Sequence, residues 1–127
     1  MSVVICSVRA VWEVEYTDEF AAWWGTLSER EQETIVASVE VLEERGPRLG
    51  RPFVDTIATS SHSNMKELRP MGGHLRILFA FDPRRVAILL LGGDKTDQWD
   101  DWYRQMVPTA DALFDTHLND IAGQDAP

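Results

Sequence analysis

The chain has 127 residues, 44% hydrophobic and 26% charged, which suits one globular domain, residues 1–127, and excludes a wholly disordered chain. Twelve Lys and Arg face twenty-one Asp and Glu, for a net charge of −9, so a general affinity for nucleic acid is excluded and only a local basic patch could serve one. The single cysteine, Cys6, excludes an internal disulfide framework, and no apolar run suits a signal peptide or a membrane span; the expected compartment is the cytoplasm, with no membrane partner.

Residues 1–10 read as an optional leader, because strong patterning begins at Val11. Trp12-Glu13-Val14-Glu15-Tyr16 alternates apolar and acidic residues, the pattern of a half-buried strand. Thr17 or Asp18 can cap a short helix carrying Phe20, Trp23 and Trp24. Ser28 with Glu31 is a capping box, and Ile35, Val36, Val39 and Leu42 then recur at helical spacing until Gly46-Pro47. These two helices form a hairpin with acidic outer faces. Residues 46–64 read as a long polar loop, functional or mobile.

A short strand follows at Met65–Arg69, stopped by Pro70 and Gly72-Gly73. Leu75–Phe81 is apolar on both faces and therefore central in its sheet. Val86–Leu91 is a second buried strand, and the tight spacing of these strands implies antiparallel pairing. Thr96 or Asp97 can cap a helix holding Trp99, Trp102, Tyr103 and Met106. Pro108-Thr109 is expected to break it and start a last helix, with residues 123–127 as a frayed tail. The expected fold is α+β: an antiparallel-rich sheet of about four strands, an N-terminal helical hairpin on one face and a C-terminal helical segment.

Charge is uneven along the chain. Residues 45–95 hold nine bases against Asp55, Glu67, Asp82 and Asp94, while both flanking segments are acidic. Either the helix surfaces are simply acidic, or the middle forms a local anion site.

The order of elements, with Lys66-Glu67-Leu68-Arg69, Gly72-Gly73-His74-Leu75-Arg76-Ile77-Leu78-Phe79 and the exit Gly92-Gly93-Asp94-Lys95-Thr96, resembles the RelE/ParE toxin superfamily, and within it the HigB-like, or phage Gp49-like, branch. The resemblance covers about residues 11–118. It implies the toxin of a type II toxin–antitoxin pair that cleaves mRNA on the ribosome and is silenced by a helix-turn-helix, HigA-like antitoxin encoded beside it, in a complex that can contain a toxin dimer. Two features depart from the family. The chain is acidic, and Asp94-Lys95 stands where many relatives carry paired lysines; both lower the expected affinity for RNA.

Metal-free RNA cleavage needs a base for the 2′-hydroxyl, cations for the phosphorane and an acid for the leaving 5′-oxygen. No Cys/His metal cluster or cofactor is expected. Glu67 and Arg69, two apart on a strand, share a face, and Arg76 begins the neighbouring strand. Arg76 interrupts an apolar strand, where a charge is costly without an anion to meet it. Arg76 and Arg69 are the candidates for the phosphate, Lys95 for added charge or the acid, and Glu67 or His74 for the base. The alternative is a structural ion pair of Glu67 with either arginine. Lys66, Arg84 and Arg85 could extend an RNA contact. His74 could equally be a turn residue after Gly72-Gly73; His62 is read as a solvated loop residue, with a loop that folds over RNA as the alternative, and His117 as structural. Trp23 and Trp24 are adjacent, so one should be exposed and could anchor a partner. A gyrase-poisoning ParE-like protein and a prophage remnant that only binds its partner remain rivals.

Overall fold

The computed structural model describes residues 12–94 and 99–124. The leader at 1–10, Lys95 and the capping pair Thr96 and Asp97 lie outside the described residues, as does the Trp99 side chain. The elements are β1 (Val14–Tyr16), α1 (Asp18–Trp24), α2 (Glu29–Arg45), β2 (Val54–Thr56), β3 (Lys66–Leu68), β4 (Leu75–Phe81), β5 (Ala87–Asp94) and α3 (Trp99–Gln124). They build one five-stranded sheet in the order β1-β5-β4-β3-β2, with β4 in the middle. Strands β2 to β5 pair antiparallel, while β1 lies parallel to β5 at the edge. The α+β class is as expected, with one strand more and one parallel pairing.

The helix starts follow their caps. The Thr17 hydroxyl accepts from the Phe20 N–H (3.0 Å) and donates to the Leu90 carbonyl (2.7 Å), tying α1 to the sheet. At α2 the Ser28 Oγ accepts from Glu31 N–H while Glu31 Oε1 accepts from Ser28 N–H; losing such a cap costs about 1 kcal/mol. Gly46 ends α2 at φ 59°, ψ −139°, a conformation closed to other residues, and a Cβ there would meet the Trp12 ring at 2.3 Å.

The sheet is buried on both faces. The hairpin covers Val14, Leu68, Ile77, Phe79 and Leu89 with Phe20, Ile35, Val39 and Leu42. Helix α3 covers Met65, Leu78, Ala80, Ile88 and Leu90 with Val107, Ala110 and Phe114. Each such side chain contributes about 1.5–3 kcal/mol. Strand β5 carries a bulge: Leu78 pairs with Leu91 and Phe79 with Leu89, so Leu90 is the extra residue. The bulge puts Gly92 under Trp23 on the hairpin face and Gly93 under Trp102 on the α3 face, where added Cβ atoms would fall 2.1 and 2.3 Å from the rings. The pair expected to leave the strand instead continues it to Asp94.

Three expectations need correction. Residues 46–64 are not one loop: Gly46–Arg48 is a 3-10 turn and Val54–Thr56 pairs with β3 as the edge strand β2. The rest of that segment is tied to α3, where Asp111 accepts from the Ser60 hydroxyl and Ser61 N–H, and Asp115 meets His62 Nε2 at 2.8 Å. His62 is therefore a packing residue set edge-on to Phe114. Pro108 does not break the last helix, which runs unbroken from Trp99 to Gln124. Pro108 is exposed while Val107 and Ala110 are buried, so the helix is held by its sheet-facing side and the carbonyl that loses its donor is on the solvent side. Finally, neither Trp23 nor Trp24 is fully exposed; both are half-buried, Trp23 over Gly92 and Trp24 beside Phe20.

Candidate functional site

The alternation of β3 and β4 sends Glu67 and Arg76 to the α3 face of the sheet, and Asp55 of β2 pairs with Glu67 in register. Glu67 is only 3% exposed. Its Oε1 accepts from the Tyr103 hydroxyl of α3 (2.7 Å) and lies 3.3 Å from Arg76 Nε, while its Oε2 lies 3.4 Å from Arg69 Nη2. Arg69 also reaches Asp55 Oδ2 at 3.2 Å, where Arg51 meets the same oxygen at 2.9 Å. Arg76 donates from Nη1 to the Leu75 carbonyl at 2.7 Å. Three guanidinia thus converge on two carboxylates, a local surplus of one positive charge. Arg69 Nε and Arg76 Nε are buried and make no hydrogen bond, although Arg76 Nε faces Glu67 Oε1 as an ion pair at 3.3 Å.

The Arg51 hydrogen bond is the leading cause that holds the Asp55 carboxyl below the usual carboxylate range, against partial desolvation. Burial, then the hydrogen bond to Glu67, pushes the Tyr103 phenol well above its ordinary value. Tyr103 is thus a neutral donor at any physiological pH, and its role is to fix Glu67. Glu67 is thus enclosed by two guanidinia and a phenol, where its carboxylate braces both Arg69 and Arg76.

The structure brings together Glu67, Arg69 and Arg76 among the sequence candidates. His74 is exposed on the turn before β4, two residues from Arg76, with no hydrogen bond or ion pair among the described residues. Lys66 leaves β3 on the opposite face from Glu67. Arg84 and Arg85 lie past the other end of β4, about 20 Å along a seven-residue strand from Arg76, and do not join the site. Arg84 is held by Asp82 (2.7 Å) and Glu15 (3.1 Å), and Arg85, at φ 69°, lies 5.0 Å over the Trp12 ring. His117 bonds Asp82 at 2.8 Å, a structural role as expected. Sequence reasoning missed Asp55 and Tyr103. The signal for Tyr103 was its phenol on the apolar, sheet-facing stripe of α3; Asp55 had none, because β2 itself was unseen. Among the described residues no group of three or more His, Cys, Asp or Glu is placed to hold a metal ion, and no helix is long and apolar enough to cross a membrane.

A mixed five-stranded sheet with a helical hairpin on one face and a helix on the other defines a RelE-like α+β fold. The chain is similar to the crystal structure of an archaeal RelE–RelB complex from Pyrococcus horikoshii, with a TM-score of 0.54 at 13% identity over 67% of this chain and 96% of that one. Residues 22–115 match the model of the phage-derived Gp49-like protein family. The chain is also similar to two Mycobacterium tuberculosis proteins named as candidate toxins. It is 47% identical to HigB2 over 104 residues, 80% of this chain, and spans 52% of HigB2, about half its length. It is 51% identical to HigB3 over 96 residues, 76% of this chain and 84% of that protein. The chain belongs to the Gp49-like family, the HigB-like branch of the RelE/ParE superfamily.

Proposed function

We propose that the chain is the toxin of a type II toxin–antitoxin pair, acting in the cytoplasm as a metal-independent ribonuclease on mRNA at the ribosome. The family and the toxin names of its relatives support the first half. The observation that supports the chemistry is the convergence of the three guanidinia of Arg51, Arg69 and Arg76 on only two carboxylates, Asp55 and Glu67. Guanidinium forks suit a phosphate that gains charge in the transition state. The 2′-oxygen attacks phosphorus, the bond to the 5′-oxygen breaks, and a 2′,3′-cyclic phosphate remains. Arg76 and Arg69 hold the phosphate, Glu67 positions them, His74 takes the 2′-hydroxyl proton and Lys95 returns one to the 5′-oxygen. A HigA-like helix-turn-helix antitoxin silences the chain.

Arg76→Ala tests this. Its growth arrest on induction should vanish, with a rate loss of about 10²–10³ as for one lost transition-state donor, while circular dichroism shows a folded protein. Full toxicity in folded Arg76→Ala sinks the site. One observation favours a second reading: Glu67 and Asp55 already compensate most of the arginine charge, which suits a binding module that poisons gyrase. DNA-damage signalling with intact mRNA would select that reading.

A further inference from the structure

Between α1, α2 and β1 lies an apolar cavity of about 220 Å³, walled by Tyr16, Phe20, Trp24, Val36, Val39 and Leu89. It opens to the surface, since Tyr16, Trp24 and Val36 are only half-buried. A cavity of roughly 150 Å³ lined by similar side chains accepts benzene, so a phenyl or isobutyl group fits this one. The exposed-tryptophan expectation is thereby reversed: Trp24 forms a wall of a socket instead of projecting as an anchor.

The rim selects the occupant. From residue 12 to residue 44 the charged residues are ten acids and Arg30. Glu31, Glu40 and Glu43 stand one helical turn from the lining residues Ile35, Val36 and Val39, and Asp18 stands one turn from Ala21. The charge of Glu15 is met by Arg84. Glu43 itself is buried at 4% exposure and held toward its neutral acid, so the charge of the rim comes from Asp18, Glu31 and Glu40. An acidic segment would be repelled at such a rim.

We infer that this cavity is a docking socket for a partner segment that inserts one phenylalanine or leucine flanked by lysine or arginine. The inference deepens the toxin–antitoxin reading by naming the chemistry of the antitoxin segment, and its test does not depend on toxicity. The probes are two synthetic helical peptides with a central phenylalanine, one flanked by lysines and the other by glutamates, titrated into the full chain by tryptophan fluorescence. The lysine peptide should bind about tenfold or more tighter than the glutamate peptide, and more weakly as salt rises. The fluorescence change should shrink in Trp24→Phe. Val36→Arg should lose the lysine peptide by about tenfold or more, since it puts a cation at the mouth. Ala21→Leu, which fills the cavity with apolar atoms, should do the same without lowering the melting temperature, so a poorly folded Val36→Arg protein does not spoil the test. Equal binding of both peptides, no binding of either, or unchanged binding in Ala21→Leu overturns the inference. So does a chain dimer that Val36→Arg dissociates, because a second copy is then the occupant. Peptide binding by a chain that never arrests growth would keep the socket and remove the toxin reading.

Discussion

Glu67→Gln separates positioning from proton transfer in the arginine cluster. Glutamine keeps the volume and a carbonyl that can accept from the Tyr103 hydroxyl, now at 2.7 Å. It removes the negative charge lying 3.3 Å from Arg76 and 3.4 Å from Arg69. Removing one partner of a buried ion pair costs about 3–5 kcal/mol. The Arg76 and Arg69 side chains are 13% and 31% exposed, so water screens part of the exposed charge and the expected loss is about 2–3 kcal/mol. For a chain of this size that lowers the melting temperature by roughly 6–15 °C. The same change raises the local surplus by one positive charge, so a positioning role predicts toxicity within about tenfold of the parent when assayed below the melting point; loss of a general base predicts a fall of about 10²–10⁴. Thermal melting and growth arrest on induction read the two effects separately. A Glu67→Gln protein that melts within about 2 °C of the parent refutes the network. A stable, folded one that has lost toxicity makes Glu67 the base and refutes the positioning role.

Gly92→Ala and Gly93→Ala should each cost about 1–3 kcal/mol, since the new methyl would sit 2.1 Å from Trp23 and 2.3 Å from Trp102; urea melts at unchanged slope check this, and a neutral result would mean the tryptophans are not seated on β5. Burial works to raise the Asp82 carboxyl, but hydrogen bonds from His117, Arg84 and the Val86 N–H together outweigh it and hold it below its ordinary value. A carboxyl lowered on folding adds stability above its unfolded pKa, and that stability is lost as pH falls through the folded value; Asp82→Asn should therefore flatten the acid limb of stability against pH. Glu43 is the opposite case: desolvation, then Glu40, raises it from 4.5 to about 7. Its folded state prefers the neutral acid, so stability should fall as pH rises from about 4.5 to about 7. Glu43→Gln should raise the melting temperature at pH 8 and leave it unchanged at pH 4, which a pair of thermal melts decides.

Local signals were legible where a single residue pair fixes geometry. Ser28 with Glu31 marks the start of α2, and Leu75–Phe81, apolar on both faces, is the middle strand. Arg76 showed itself as a charge in an apolar run, and Glu67 with Arg69 by their spacing. The unread parts depend on distant partners. Val54-Asp55-Thr56 is too short to alternate visibly and becomes a strand only because β3 offers an edge. Pro108 looks like a breaker until the buried residues on either side hold α3 to the sheet. The direction of β1 is set by the crossing of the hairpin over one face, which no residue of Val14–Tyr16 encodes. Tyr103 shares a helical stripe with core residues, and only the fold reveals the carboxylate beneath its hydroxyl.

The sheet also divides the chain's heritable freedom. The buried residues of the hairpin side, Phe20, Ile35, Val39, Leu42 and Leu49, pack with one set of sheet residues. The arginine cluster draws on Arg51, Asp55, Glu67, Arg69, Arg76 and Tyr103, on the other side or at the rim. Layers packed on opposite faces of a sheet are about 10 Å from it on either side, and substitutions that far apart with no shared partner add in free energy within about 0.3–0.5 kcal/mol. A lineage can therefore rewrite the outer surface of the hairpin, residue by residue, without retuning the arginine cluster under α3. Duplicated copies of such a gene can diverge on the hairpin face while keeping the cluster intact.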